Sequence, residues 1–189
     1  ISTKKINIKT YKSSIKNNKL FFSKDSFNIF DIKTSNYNQN TLESLKISYK
    51  LVKEKYFIGI VTLPINKKKI NKINSTFIDQ TSFFTKKDGK KFSNMMFIYK
   101  NLFFVPLTMH IMIKNVSKKF KNSITIINKI KNLNMSLVRD FQINNPKYIM
   151  AGINPHSGEK GIISNEDKEY IAPIIKELKK INININGPI

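Results

Sequence analysis

Two short runs constrain this chain more than anything else in it. Tyr56–Val61 (Tyr-Phe-Ile-Gly-Ile-Val) and Tyr148–Ile153 (Tyr-Ile-Met-Ala-Gly-Ile) are almost wholly apolar, the first broken only by Gly59. A strand of that composition fits a sheet covered on both faces. Helical signals surround them. Leu42, Leu45, Tyr49 and Val52 recur at helical spacing behind a Thr41 cap, with Glu43 in the first turn. Ile124, Ile127, Ile130, Leu133 and Leu137 mark a second amphipathic helix. A third starts near Ser164, carries Glu166 and Asp167 in its first turn, and presents Tyr170, Ile171, Ile174, Ile175 and Leu178. Strands alternating with helices predict an α/β protein, a three-layer α/β/α arrangement on a mixed sheet with the two apolar runs as central strands.

Shorter elements fill the remainder. Met95–Tyr99 and Leu102–Leu107 read as two strands about a tight turn at Lys100 and Asn101, with Pro106 confining the second to an edge or a strand end. Ile181–Ile185, alternating with asparagine, reads as a further strand before Gly187. Residues 1–40 hold the short apolar runs Ile6–Ile8, Leu20–Phe22 and Phe27–Ile32, expected as short strands and loops, and 41–189 is expected as a partial α/β domain.

Composition removes several function classes. With 40% hydrophobic residues the chain can bury a core. No apolar run approaches the roughly 18 residues of a membrane span. Cysteine is absent, which eliminates disulfides, thiolate metal sites and cysteine nucleophiles and fits a reducing cytosol. The charge of +22 would ordinarily suggest nucleic acid, but Arg139 is the one arginine. Lysine scattered beside isoleucine and asparagine is the signature of A- and T-rich codons, and lysine reads bases poorly. No specific nucleic-acid contact is therefore expected. The chain opens on Ile1 without a leader, and reads as an internal piece.

Both histidines, His110 and His156, sit just past an expected strand, where α/β proteins place ligands. Each also has a plainer reading, His110 as a strand-end cap bonded to backbone and His156 as part of a surface turn. Neutral imidazole is a common metal ligand, and two at strand ends suggest a shared site.

The segment Gly152-Ile153-Asn154-Pro155-His156-Ser157-Gly158-Glu159-Lys160-Gly161 resembles the G-[LI]-N-P-H-x-G-[ED]-x-G loop of 4-hydroxythreonine-4-phosphate dehydrogenases. Motif order agrees from about Thr41 to Ile189. Val61-Thr62-Leu63-Pro64-Ile65-Asn66-Lys67 is similar to the family's T-[GA]-P-[IV]-[HN]-K turn, and Asn186-Gly187-Pro188 to the N-G-P after its last helix. Asp79-Gln80-Thr81-Ser82 stands where the family has G-H-T-[ED], and Leu107-Thr108-Met109-His110 where it has T-x-H-x-P, with Met112 in place of the proline.

That resemblance implies a fold similar to isocitrate and isopropylmalate dehydrogenases, a cytoplasmic homodimer, and NAD with a divalent metal (zinc, magnesium or cobalt) as cofactors. The implied reaction oxidises and decarboxylates 4-phosphohydroxy-L-threonine to 3-amino-2-oxopropyl phosphate in pyridoxal 5′-phosphate synthesis. His110 and His156 match catalytic metal ligands, and Gln80 and Thr81 match substrate-binding positions. Thr62, Pro64 and Lys67 match the pocket turn, where Lys67 also reads as a solvated helix-start lysine, and Glu159 reads as a solvated loop carboxylate. The resemblance makes this a partial chain, without the family's amino-terminal glycine-rich segment or the carboxyl-terminal motif that supplies a third metal histidine. Two other readings stand beside it: a non-catalytic remnant of that enzyme, or a lysine-rich nucleic-acid-binding protein.

Overall fold

The structure, a computed structural model, describes residues 7–12, 24–32, 34 and 36–189. The expected strand at Leu20–Phe22 lies outside the described residues. Two compact units divide the chain, Ile1–Lys87 and Asp88–Ile189.

In the first unit β1 (Ile8–Lys12) pairs in parallel with β2 (Phe27–Asp31). Helix α1 runs Tyr37–Lys53. It starts four residues before Thr41, because Asn36 caps it: the Asn36 side chain accepts from the Asn38 amide at 2.8 Å. Thr41 instead lies inside the helix and donates its hydroxyl to the Tyr37 carbonyl at 3.2 Å. The helix ends in a Schellman turn, with Lys55 left-handed at φ 63° and the Tyr56 and Lys55 amides closing on the Leu51 and Val52 carbonyls at 2.9 Å each. Helices α2 (Lys67–Ile73), capped by Asn66, and α3 (Gln80–Lys87) follow. Leu42 and Leu45 of α1, Ile70 of α2 and Phe77 form the core, with Phe83 and Phe84 packed against it.

Tyr56–Val61 departs from expectation. It joins no ladder among the described residues, and Ile58 and Val61 are 109% and 97% exposed. A strand exists only as part of a ladder with a neighbouring strand, and composition alone does not supply one. Gly59, Ile60 and Val61 instead line one wall of an open cavity of about 340 Å³, opposite Ile29 and Leu51.

The second unit opens with the hairpin β3 (Phe97–Tyr99) and β4 (Leu102–Phe104), paired antiparallel with Tyr99 opposite Leu102. Its turn lies at Lys100 and Asn101 as expected, with Lys100 at φ 52°, and Pro106 falls beyond the strand. Helix α4 (Val116–Lys121) precedes α5 (Ser123–Arg139), which is capped by Asn122. The buried stripe of α5 is Ile126, Ile127, Ile130, Leu133 and Leu137, while Ile124 is 59% exposed. The stripe thus enters the core two residues later than Ile124 suggested.

Strand β5 (Lys147–Ile149) pairs in parallel with β6 (Asn184–Asn186), Tyr148 opposite Ile185. This second apolar run is covered on one side only: Met150 is buried, Tyr148 half-buried, and Ile149 73% exposed. Among the described residues β5 pairs with β6 alone. Between these strands lie one wide helical turn, Asp167–Ile171, and α6 (Ala172–Lys180). Ile171, Ile174, Ile175 and Leu178 point inward onto Ile126, Ile127, Ile130, Met150, Ile183 and Ile185. A Schellman turn at left-handed Asn182 delivers Ile183 beside Leu178 and aims the chain into β6.

The α/β class holds. The described strands form three separate two-stranded sheets rather than one mixed sheet.

Candidate functional site

In the second unit, the chain leaving β4 reaches Leu107, whose carbonyl accepts from the Lys129 ammonium at 2.9 Å. Partial burial of Lys129, a residue of α5, lowers its pKa, since the charged form loses hydration. Three residues later His110 stands exposed in a left-handed conformation, φ 53°. On the other side β5 leads through Met150 and Gly152, whose amides bond to the Asn186 and Ile189 carbonyls at 2.8 and 2.9 Å, to Ile153 and the His156 loop. Leu107 and Ile153 both pack on the core formed by α5, α6 and β6. Both histidine segments therefore leave one hydrophobic core.

The His156 loop is a single left-handed turn. His156, Ser157, Gly158, Glu159 and Lys160 lie at φ 50°, 49°, 77°, 45° and 54°. L-residues avoid this region at roughly 1–2 kcal/mol each and visit it singly, so four non-glycine residues in succession are costly. Ser157 adds to the cost: its Oγ is buried without a hydrogen-bond partner among the described residues. Gly158 has no alternative side chain, because a Cβ there would lie 2.1 Å from the Ser164 carbonyl oxygen. At Gly152 a Cβ would meet Ser157 Oγ at 2.9 Å and Asp167 Oδ1 at 3.0 Å. Strain of this kind persists only where surrounding contacts over-determine it.

Those contacts come from the start of the last helical segment. Asp167, 1% exposed, accepts the Ile153 amide at 2.6 Å, the Asn154 amide at 3.2 Å and the Asn154 side-chain amide at 3.3 Å. Glu166 accepts the same Asn154 side chain at 3.1 Å and the Ser164 hydroxyl at 3.3 Å. The Asn154 bond, then one from Ser117, holds the Glu166 carboxyl below the usual carboxylate range, with Ser164 and the charge of Lys121 assisting against partial burial. Reading Asp167 as a first-turn acid missed this role. The available signal was an acid within reach of the Asn-Pro pair in a glycine-bounded loop.

The substrate candidates belong to the first unit. Gln80 opens α3 and donates its side-chain amide to the Leu63 carbonyl at 3.1 Å, which joins it to the Thr62–Pro64 turn. Asp79 accepts the Ser82 amide at 2.7 Å and caps α3, a use for an acid where the family has glycine. Thr81 and Lys67 are exposed at their helix starts. Gln80 is thus tied to the turn that holds Thr62 and Pro64.

The family model described as "Pyridoxal phosphate biosynthetic protein PdxA" matches residues 2–189. The chain belongs to that family. The 4-hydroxythreonine-4-phosphate dehydrogenase of Zymomonas mobilis is 35% identical over 140 residues, 73% of this chain and 42% of that protein. The corresponding protein of Wigglesworthia glossinidia brevipalpis is 35% identical over 167 residues, 85% of this chain and 47% of that one. The chain spans less than half the length of these two relatives. The crystal structure of 4-hydroxythreonine-4-phosphate dehydrogenase from Klebsiella pneumoniae shares its fold, with a TM-score of 0.83 at 19% identity, covering 98% of this chain and 59% of that one.

As donors, the two histidines of this PdxA-family chain suit a divalent ion such as zinc in kind, being exposed imidazoles with no hydrogen bond to another described residue. They are short in number. Among the described residues no group of three His, Asp or Glu side chains converges, and a catalytic metal takes about three protein ligands. No described helix is long and apolar enough to cross a membrane.

Proposed function

We propose that this chain forms part of a 4-hydroxythreonine-4-phosphate dehydrogenase, acting on the phosphorylated amino acid 4-phosphohydroxy-L-threonine with NAD as oxidant. Hydride passes from the hydroxyl-bearing carbon to the nicotinamide as the hydroxyl proton is lost. The β-keto acid then releases carbon dioxide and takes up a proton, giving 3-amino-2-oxopropyl phosphate. One observation supports this reading above others: a family match along almost the whole chain coincides with a strained left-handed turn at His156, and such strain gathers at functional sites.

In this reading His110 and His156 hold a divalent ion, zinc, magnesium or cobalt, with a third ligand from outside the described residues; when bound it supplies Lewis-acid polarisation of the substrate hydroxyl. Thr81 offers a hydroxyl to a substrate oxygen. Gln80 shapes the pocket through Leu63 and keeps its amide oxygen free of that bond. The remaining family expectations form part of the same proposal: a cytoplasmic homodimer whose complete polypeptide builds an isocitrate-dehydrogenase-like three-layer sheet. In that reading the Tyr56–Val61 run is one strand of the sheet. The two-ligand count favours one second reading, a non-catalytic remnant.

NADH absorbance at 340 nm tests the proposal. The 189-residue chain should show no NAD reduction with 4-phosphohydroxy-L-threonine and cobalt. A polypeptide extended at its carboxyl end to the relatives' length should turn over, and His110→Ala or His156→Ala should abolish it. Absence of turnover in the extended chain favours the remnant, and robust turnover by the short one refutes the ligand count.

A further inference from the structure

We propose that Asp167 is the positioning residue of the His156 loop: its carboxylate holds the left-handed turn closed and so sets where the imidazole is presented. The inference rests on the reading of His156 as a metal ligand. Asp167 lies 14 residues from Ile153, and its side chain does not cap its own helical segment. Every bond it is seen to accept comes from the loop's entry, two backbone amides and the Asn154 side chain. Both oxygens are used as acceptors, Oδ1 by Ile153 and Oδ2 by Asn154.

The carboxylate sits at a crowded point of the loop's entry, with Oδ1 3.0 Å from where a Gly152 Cβ would stand and Ser157 Oγ 2.9 Å from the same point. The chain is thereby pinned immediately before the left-handed residues begin. Pro155 sets the backbone of the one residue between Asn154 and His156, and the Ser157 amide closes back on the Asn154 carbonyl at 3.1 Å. Downstream the turn is tied off by the Ile163 amide on the Gly158 carbonyl at 3.1 Å. An asparagine at 167 would aim one NH2 group at these N–H donors. A glutamate would keep two acceptor oxygens.

The experiment uses the isotope-labelled 189-residue chain. Intraresidue HN–Hα couplings and Cα/Cβ shifts of residues 156–160 report positive φ, amide exchange reports Ile153 and Asn154, and Co(II) absorption reports binding. Asp167→Asn should erase the positive-φ signature, speed Ile153 exchange at least tenfold while α5 amides stay protected, and raise the Co(II) Kd at least tenfold. Asp167→Glu should restore all three in part. Ile174→Val, a core control, should lower the melting temperature without moving Co(II) affinity.

Persistence of the positive-φ signature in Asp167→Asn overturns the proposal, as does an unchanged Co(II) Kd once the turn is lost. If Asp167→Asn does not fold, Asn154→Ala, which deletes one donor to the carboxylate, must weaken Co(II) binding and Ile153 protection severalfold, and no change in either refutes the inference. A wild-type chain that binds no Co(II) overturns the metal-ligand reading instead, and the φ signature still decides the positioning role.

Discussion

Gly158→Ala is the sharpest probe of the left-handed turn, because the structure separates its effect from that of glycine replacement in general. Gly89 and Gly158 both lie at positive φ, 63° and 77°. At Gly89 an added Cβ meets nothing within 4 Å, so Gly89→Ala carries only the left-handed penalty, about 1–2 kcal/mol. At Gly158 the same methyl would lie 2.1 Å from the Ser164 carbonyl oxygen and 3.1 Å from its carbon, a backbone obstacle that cannot swing aside like a side-chain tip. Relief requires moving residue 164 away, which breaks the bond from the Ile163 amide to the Gly158 carbonyl. That bond is worth about 1 kcal/mol net, and the left-handed penalty is added, so Gly158→Ala should cost about 2–3 kcal/mol. At roughly 2–4 °C per kcal/mol for a chain of this size, that is a fall of about 4–12 °C in Tm against about 2–8 °C for Gly89→Ala, with the excess set by the lost bond. Urea unfolding followed by circular dichroism at 222 nm gives the comparison. Equal midpoints for the two variants would show that the turn yields freely and that the reasoning about Ser164 is wrong.

Two further outcomes follow from the capping and burial described above. Asn36→Ala should destabilise the first unit by about 0.5–2 kcal/mol by removing the α1 cap, whereas Thr41→Ala should change little; urea midpoints showing the reverse order would restore Thr41 as the cap. Tyr148 should ionise late, its pKa pushed up from 10.0 to about 12 by burial, while it donates to Asn134 Oδ1 at 2.9 Å. Because the folded value lies above the unfolded one, its contribution to stability is fully present below pH 10 and is lost as pH rises toward 12. Phenolate absorbance at 295 nm should show one lagging tyrosine that Tyr148→Phe removes, and a lag that survives that substitution would assign it elsewhere.

The sequence by itself determined the elements whose hydrogen bonds close within their own segment. The stripes of α1, α5 and α6 are visible as 3.6-residue periodicity, and the β3–β4 hairpin as two apolar runs around Lys100 and Asn101. Asn36 was hidden behind Thr41 because both residue types cap helices and the apolar periodicity begins only at Leu42. The His156 loop was legible as a motif, since glycines at 152, 158 and 161 punctuate a polar stretch after a strand. Only the tertiary structure decided the rest. Tyr56–Val61 has the composition of a buried strand, but a strand needs a ladder that its own residues cannot supply, and among the described residues this run joins none. Asp167 reads locally as a first-turn acid, and becomes the loop's buried acceptor only when α6 packs against α5 and β6 and brings it beneath Ile153 and Asn154. The left-handed turn at His156–Lys160 has no local cause beyond Gly158, since its other residues disfavour that conformation. Asp167 bonds the entry to that turn at Ile153 and Asn154, 14 and 13 residues back in the chain, so tertiary packing brings this acceptor to the loop.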